Sequence, residues 1–453
     1  MNLFPVDKYY KKILQVSLPA IAGLSTQMVV SLVDAAMVGR LYEATYALAA
    51  MGIGVLATWA LVSFFSSLAT GTHVLVARNF GSQNFIQCGR VLNNSLIIGF
   101  LIGIVIALIC ALGAYPISHF FAADPTVGNY AAQFIFYRFL GLPFFLLSVS
   151  YRGFFFGIGK TKIFMYSGVM TNILNIIFNY FLIFGSFGAP QMGLAGAGLG
   201  SSLATLFDSL FYFVIILLPS YRHRYQNFRH FKLDFNIIKK IYRISLPVSF
   251  QNIFILIGFL IFVSITGFIG TEEQAATQAI ISTLFISFLP CFGFGIGVQT
   301  LVGNSLGSKK FDLARIYGFE TAKIATYYTF VLGIIYVFLP QAILTIITTD
   351  QSIIDTAKPA LRIAGFSQIF YAAGVVFANG LQAGGKTLYV MTAEVITNLF
   401  IFVPLAFVLG VYFKLGLTWA WMALPAYIMS YSLIIYLKYR SNNWEIEKSK
   451  NFI

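Results

Sequence analysis

Apolar residues in this chain come in long runs separated by short polar breaks. Twelve such runs lie near residues 13–38, 49–77, 91–113, 128–151, 163–185, 194–218, 240–269, 274–302, 315–338, 360–381, 388–410 and 417–438. A helix needs roughly 20 apolar residues to cross about 30 Å of hydrocarbon, and each run is of that order. Within lipid the backbone must satisfy its own hydrogen bonds, so only helices and closed barrels span. Barrel strands alternate between apolar and polar over about ten residues, whereas these runs are continuous. The pattern predicts an all-α membrane protein with twelve transmembrane helices.

The runs are arranged twice over. Gly159-Lys160-Thr161 returns 226 residues later as Gly385-Lys386-Thr387, Gly81-Ser82 as Gly307-Ser308, and Asn172 as Asn398. Ser17-Leu18-Pro19 returns as Ser245-Leu246-Pro247 at a shift of 228. A repeat of this length is a duplicated domain rather than a solenoid unit. Six spans per half is an even number, so both halves start on the same side, as parallel repeats of six-helix bundles. The expected organisation is an N-terminal lobe at 1–218, a linker at 219–243, a C-terminal lobe at 244–440 and a tail at 441–453. Two lobes around a shared central site are the architecture of a transporter.

Composition agrees: 58% of residues are hydrophobic and 10% charged, against about 25% charged in a soluble domain. The net charge of +14 would suit a nucleic-acid partner, but its distribution does not. The N-terminus, 77–90, 152–162, 219–243, 303–315, 382–387 and the C-terminus hold 23 of the 29 Lys and Arg, and the alternate loops hold Arg40, Lys358 and Lys414. That alternation places both termini in the cytoplasm, in a multi-pass protein of the inner (cytoplasmic) membrane. Seven basic residues between Arg222 and Arg243 suit topology and anionic lipid headgroups. Segments 115–127 and 340–359 are read as external loops lying on the interface. Cys88, Cys110 and Cys291 have no paired spacing.

One enzyme-like motif occurs. Gly380 to Thr387 fits G-x-x-x-x-G-K-[ST], but a phosphate-binding loop follows a strand, and this one closes an apolar run. A tight cytoplasmic turn is the better reading. His73, His119, His223 and His230 are scattered, so a membrane enzyme finds no support, and no organic cofactor is called for. Glycines at 193, 196, 198 and 200 and at 293, 295 and 297 allow either close helix approach or bending.

Ionisable residues inside the spans are few. Asp34 stands near the outer end of the first, Asp208 in the sixth, Glu394 in the eleventh, and Glu320 near the cytoplasmic start of the ninth. A charge at mid-bilayer costs about 3 kcal/mol or more, so such residues face a cavity, pair, or mark an ion path. Asp34 is the acid expected to function. For Asp208 and Glu394 a hydrogen-bonded contact between helices is a better explanation than a functional role. Asn175 and Asn179, four apart, share a helical face, and Ser201 shares one with Asp208. A carboxylate with such oxygens can hold Na⁺ or organise a proton site, although contacts between helices would use the same residues. Gln251, Gln368 and Tyr371 are further polar positions in the second half.

Taken together, Ser17-Leu18-Pro19, Val33-Asp34-x-x-x-Val38-Gly39, Val76 to Gly81, Gly193 to Gly198, Leu289 to Gly295 and Val302 to Gly307 make the chain resemble the multidrug and toxic compound extrusion transporters. The resemblance runs over nearly the whole chain. It implies a V-shaped pair of bundles that exports organic, mostly cationic drugs by alternating access, as an antiporter driven by H⁺ or Na⁺. It also implies that Asp34, Asn175, Asn179 and Ser201 form the first lobe's cation site. Some members place acids in the seventh and tenth helices, where this chain has none, so a matching second-lobe site is not expected there. A flippase for lipid-linked oligosaccharides, from the same superfamily, is the alternative. It would use Arg138 and Arg362. A monomer surrounded by lipid is expected in either case.

Overall fold

The computed structural model describes residues 7–229, 232–441 and 444, with side chains throughout except at 7, 27–29 and 31–32. His230 and most of the expected tail lie outside these residues. The chain is helical almost throughout. In order come α1 (Asp7–Val38), α2 (Ala44–Gly81), α3 (Phe85–Phe121), α4 (Pro125–Phe139), α5 (Leu142–Gly157), α6 (Thr161–Phe184) and α7 (Leu194–Leu217). A short α8 (Pro219–Tyr225) precedes α9 (Phe235–Ile269), α10 (Thr271–Gly307), α11 (Phe311–Phe338), α12 (Pro340–Ile347) and α13 (Gln351–Ala383). The chain closes with α14 (Thr387–Thr397), α15 (Val403–Phe407), α16 (Leu417–Trp421) and α17 (Ala423–Arg440), with π-helical turns at Asn398–Phe402 and Val408–Tyr412.

Among the described residues ten helices are long and apolar enough to cross a membrane, and α4 with α5, bent by 47°, makes an eleventh. α1, with 32 residues, stands where the first span was expected. The bend corrects the expectation of an unbroken run at 128–151. Its exposed backbone groups are met by one side chain: Gly141 N–H donates to Ser202 Oγ at 3.1 Å, and that hydroxyl lies 2.7 and 2.9 Å from the carbonyls of Tyr137 and Arg138. A broken span survives in lipid when a neighbour satisfies the freed groups in this way.

Helices also run further than hydropathy suggests. Of the stretch 77–90 only Ser82 to Asn84 is non-helical, and the expected external loops are largely the end of α3, α12 and the start of α13. The duplication is visible in the turns. Gln83 and Lys309 hold left-handed φ of 60° and 58°, and Gly159 and Gly385 hold 73° and 75°. Lys160 N–H bonds to Phe155 O at 2.8 Å, and Lys386 N–H to Leu381 O at 3.0 Å. In the motif that imitates a phosphate loop, the amides of Gly384, Gly385 and Lys386 all donate to carbonyls of the preceding helix. They close a helix end and have nothing left to offer a phosphate.

The contacts define two units, Met1–Ile21 with Phe250–Ile453, and Ala22–Ser249. Their boundaries fall inside α1 and α9 rather than in the linker. Small residues explain why. In the first unit the start of α1 rests on α10, where a Cβ added at Gly297 would stand 3.2 Å from the Cβ of Ser17. In the second unit the start of α9 rests on α2, where a Cβ at Gly71 would stand 2.7 Å from the Ile241 carbonyl oxygen, and Ser67 and Ser249 hydroxyls meet at 2.5 Å. Gly71 and Gly297 are equivalent in the repeat, and close approach at small residues drives such packing in membranes. The core of the first unit gathers Phe262, Phe402, Trp421 and Tyr427, and that of the second sets Phe134, Ile135 and Phe139 against Ala47, Ala50 and Ala197.

The linker is largely structured. Asn94 Oδ1 on α3 accepts from Asp234 N at 2.8 Å, and the Arg224 guanidinium lies 4.2 Å from the Phe85 ring centre. Arg224 therefore packs on aromatic surface, a use of charge that the headgroup reading did not include.

Candidate functional site

In the second unit the structure joins Asp34 with all three residues expected around it. The aspartate is half-buried one turn before the end of α1. Asn179 Nδ2 donates to Asp34 Oδ1 at 2.7 Å and lies 3.2 Å from Asn175 Oδ1. Asn175 Nδ2 in turn donates to Ser201 Oγ at 3.0 Å. Asn179 Oδ1 is buried without a hydrogen-bond partner. Gly200 on α7 leaves room for it: an added Cβ would lie 3.0 Å from Asn179 N and 3.2 Å from its Cγ. Arg138 at the end of α4 is close enough for its charge to reach Asp34. A carboxylate bonded to one neutral amide, whose own oxygen makes no hydrogen bond, can exchange H⁺ or a small cation.

Asp208 belongs to a different cluster. It is 1% exposed and ion-paired with Arg152 of α5 at 2.9 Å. Ser167 and Thr171 of α6 donate to its Oδ1 at 2.5 and 3.0 Å, and Ser167 also reaches the Tyr212 hydroxyl at 2.8 Å. Arg152 was expected in a cytoplasmic loop; it sits inside a helix, drawn in by the acid. Ser167, Thr171, Asn175 and Asn179 recur every fourth residue, so both clusters line one face of α6. That spacing could have revealed the two hydroxyls from sequence. On α1 and α6, Ala22, Thr26, Met165, Tyr166, Val169 and Ile173 line an apolar groove of about 580 Å³.

The first unit buries Glu394 at 2% exposure. Tyr427 donates its hydroxyl to Oε1, while Gln251, Asn398 and Tyr431 surround the carboxyl and Tyr371 lies within electrostatic range. Gln251 is held by Gln382 at 3.2 Å, and Tyr371 packs on Phe288 with ring centres 4.5 Å apart. Gln368 does not join them. It accepts from Ser287 at 2.8 Å and donates to the Ala364 carbonyl. Tyr427 and Tyr431, four apart on α17, share a helical face that spacing could also have shown. Glu320 is salt-bridged to Lys323 at 2.7 Å.

Span after span of apolar helix, a duplicated half and acids set among neutral donors define the class, a helical membrane transporter. A family model, MatE, matches residues 19–181 and 247–408, and the chain belongs to that family. It is 26% identical over 449 residues to the probable multidrug resistance protein NorM of Thermotoga maritima, covering 97% of this chain and 94% of that one. To the uncharacterized transporter YisQ of Bacillus subtilis it is 23% identical, covering 97% and 96%. A crystal structure of MATE in complex with MaL6 superposes with a TM-score of 0.88 at 20% identity over 95% of both chains. A MOP superfamily transporter from Pyrococcus furiosus, described as having a binding pocket of reverse polarity, gives 0.86 at 20% identity over 95% of both. At that identity the two structures speak for the fold alone.

Proposed function

We propose that the chain exports organic, mostly cationic small molecules across the cytoplasmic membrane in exchange for H⁺ or Na⁺, with Asp34 as the coupling acid. The observation that carries this is the hydrogen-bonded series Asp34–Asn179–Asn175–Ser201, which bonds the carboxylate to neutral groups and leaves an amide oxygen open. The relatives named for multidrug resistance support the cargo class. The apolar groove on the same two helices falls in the range of about 300–1,000 Å³ that takes drug-sized molecules. A flippase reading is less well served, because Arg362 is exposed and the charge of Arg138 falls on Asp34.

Ion binding and drug binding must oppose one another by equal factors for exchange to occur. The test is efflux of a fluorescent cation from proteoliposomes under separately imposed H⁺ and Na⁺ gradients. Wild type should concentrate the dye under at least one gradient, and Asp34→Asn, still folded, should lose that response and bind drug independently of the ion. Undiminished uphill transport by Asp34→Asn would sink the proposal.

A further inference from the structure

Glu394 lies in the unit formed by Met1–Ile21 and Phe250–Ile453, which contains none of the Asp34 site. It is 2% exposed and forms no ion pair among the described residues. The groups that face it are neutral or weakly acidic. α17 supplies Tyr427 and Tyr431, α13 supplies Tyr371, α9 supplies Gln251, and the π turn after α14 supplies Asn398. No Lys, Arg or His contacts it among the described residues.

Asn398 is the second observation. It is fully buried, and neither its Nδ2 nor its Oδ1 completes a hydrogen bond of normal geometry. It is wedged on Gly258 of α9, where an added Cβ would stand 2.6 Å from its Cγ. The turn that presents it is π-helical, with Val403 N–H bonded back to Asn398 O. A π turn re-aims side chains and recurs at functional sites. The Glu394 carboxyl is the group its amide does reach, and a buried amide costs folding free energy unless something uses it.

An ionised carboxylate out of water costs several kcal/mol and needs a basic partner, a bound cation or a proton. Among the described residues the first is not there, and a hydroxyl partner that serves both states of the acid points to the third. A carboxyl that alternates between –COOH and –COO⁻ is a donor in one state and only an acceptor in the other. The Tyr427 hydroxyl, which donates to one carboxyl oxygen here, can accept from the protonated acid, while the Asn398 amide reaches the carboxyl with its own oxygen packed on Gly258. We propose that Glu394 is a proton-binding site distinct from Asp34, with Asn398, Tyr427 and Gln251 as its neutral partners.

Infrared difference spectroscopy of the full chain in lipid, stepped in pH, tests this directly. Wild type should show a protonated-carboxyl C=O band that titrates, is lost in Glu394→Gln, and persists in Asp34→Asn. In Tyr427→Phe the same band should move to higher wavenumber, because the carbonyl loses a donor, and this variant keeps the test decisive if Glu394→Gln does not fold. Na⁺ added at fixed pH should leave the band in place. With Asp34→Asn as the background, a band that survives Glu394→Gln, or one that Na⁺ abolishes, would overturn a dedicated proton site. Failure of the Asp34 reading in efflux would leave these spectra unchanged, so the two proposals fail separately.

Discussion

Deleting Arg152 alone should harm the protein more than deleting the whole ion pair it belongs to. Its Nη2 lies 2.9 Å from Asp208 Oδ2, with Asp208 1% exposed and Arg152 20%. Removing one partner of a buried pair costs about 3–5 kcal/mol, because the other charge is left in low dielectric. The lower end, about 3 kcal/mol, applies here because a fifth of the arginine side chain reaches the surface. The hydroxyls of Ser167 and Thr171 still bond Asp208 but cannot neutralise it. Replacing both residues by apolar ones of similar size, Arg152→Met with Asp208→Leu, removes the charge along with its partner. That double variant should lie within about 1 kcal/mol of wild type, since such replacements are often neutral. Ser167 would keep the Tyr212 hydroxyl as partner. The assay is reversible unfolding in mixed micelles of the four members of the cycle, with an expected coupling of about 2–3 kcal/mol. Costs that simply add, to within about 0.5 kcal/mol, would refute the reasoning. The double variant should also retain driven efflux, because an acid spent on an arginine has no charge to trade.

Gly200→Ala places a methyl against Asn179 without touching Asp34. A hydrogen bond to a charged group is worth about 1.5–3 kcal/mol, so the midpoint of the ion response should move by about one to two decades, and an unmoved midpoint would count against the site. Gln83→Gly and Lys309→Gly relieve left-handed residues that cost about 1–2 kcal/mol, less the backbone entropy of glycine. Both should stabilise, in unfolding measurements, by about 0.5 kcal/mol and with one sign, because the turns are the same turn twice; opposite signs would break that equivalence. Lys386→Met should leave gradient-driven transport intact, and calorimetry with ATP should show no saturable binding in either form. Binding that vanished with the lysine would restore the phosphate-loop reading.

Hydropathy located the spans because it reports which residues tolerate hydrocarbon. It misplaced their ends because it is blind to backbone hydrogen bonding: α2 runs on past Arg78 to Gly81, and the chain turns where Gln83 takes a left-handed φ. The Asp34 cluster was legible since Asn175 and Asn179 announce a shared face by spacing, and Ser167 and Thr171 carry the same spacing one and two turns earlier. Arg152 was not legible. Charge alone argued for a loop, and the acid that holds it lies 56 residues away with no motif between. Tyr427 is 33 residues from Glu394 for the same reason. The swap of helix starts between units hung on Gly71 and Gly297, whose partners only packing reveals.

Beside Glu320, which is paired with Lys323, the acids Asp34, Asp208 and Glu394 lie within spans, and their surroundings separate these three more sharply than their positions do. Asp208 is enclosed and already balanced by a guanidinium, so ionisation there is a fixed part of the fold. Glu394 is enclosed and unbalanced, which favours a proton exchanged through neutral partners. Asp34 is half-buried, bonded to an amide and reached by the charge of Arg138 only at longer range. Of the three it alone combines partial access with an uncommitted charge. A coupling residue needs both, since it must meet ions from water and still differ in affinity between states. If Asp34→Asn abolishes the ion response while the Arg152→Met, Asp208→Leu pair does not, then partner chemistry rather than depth in the membrane decides which buried acid can couple.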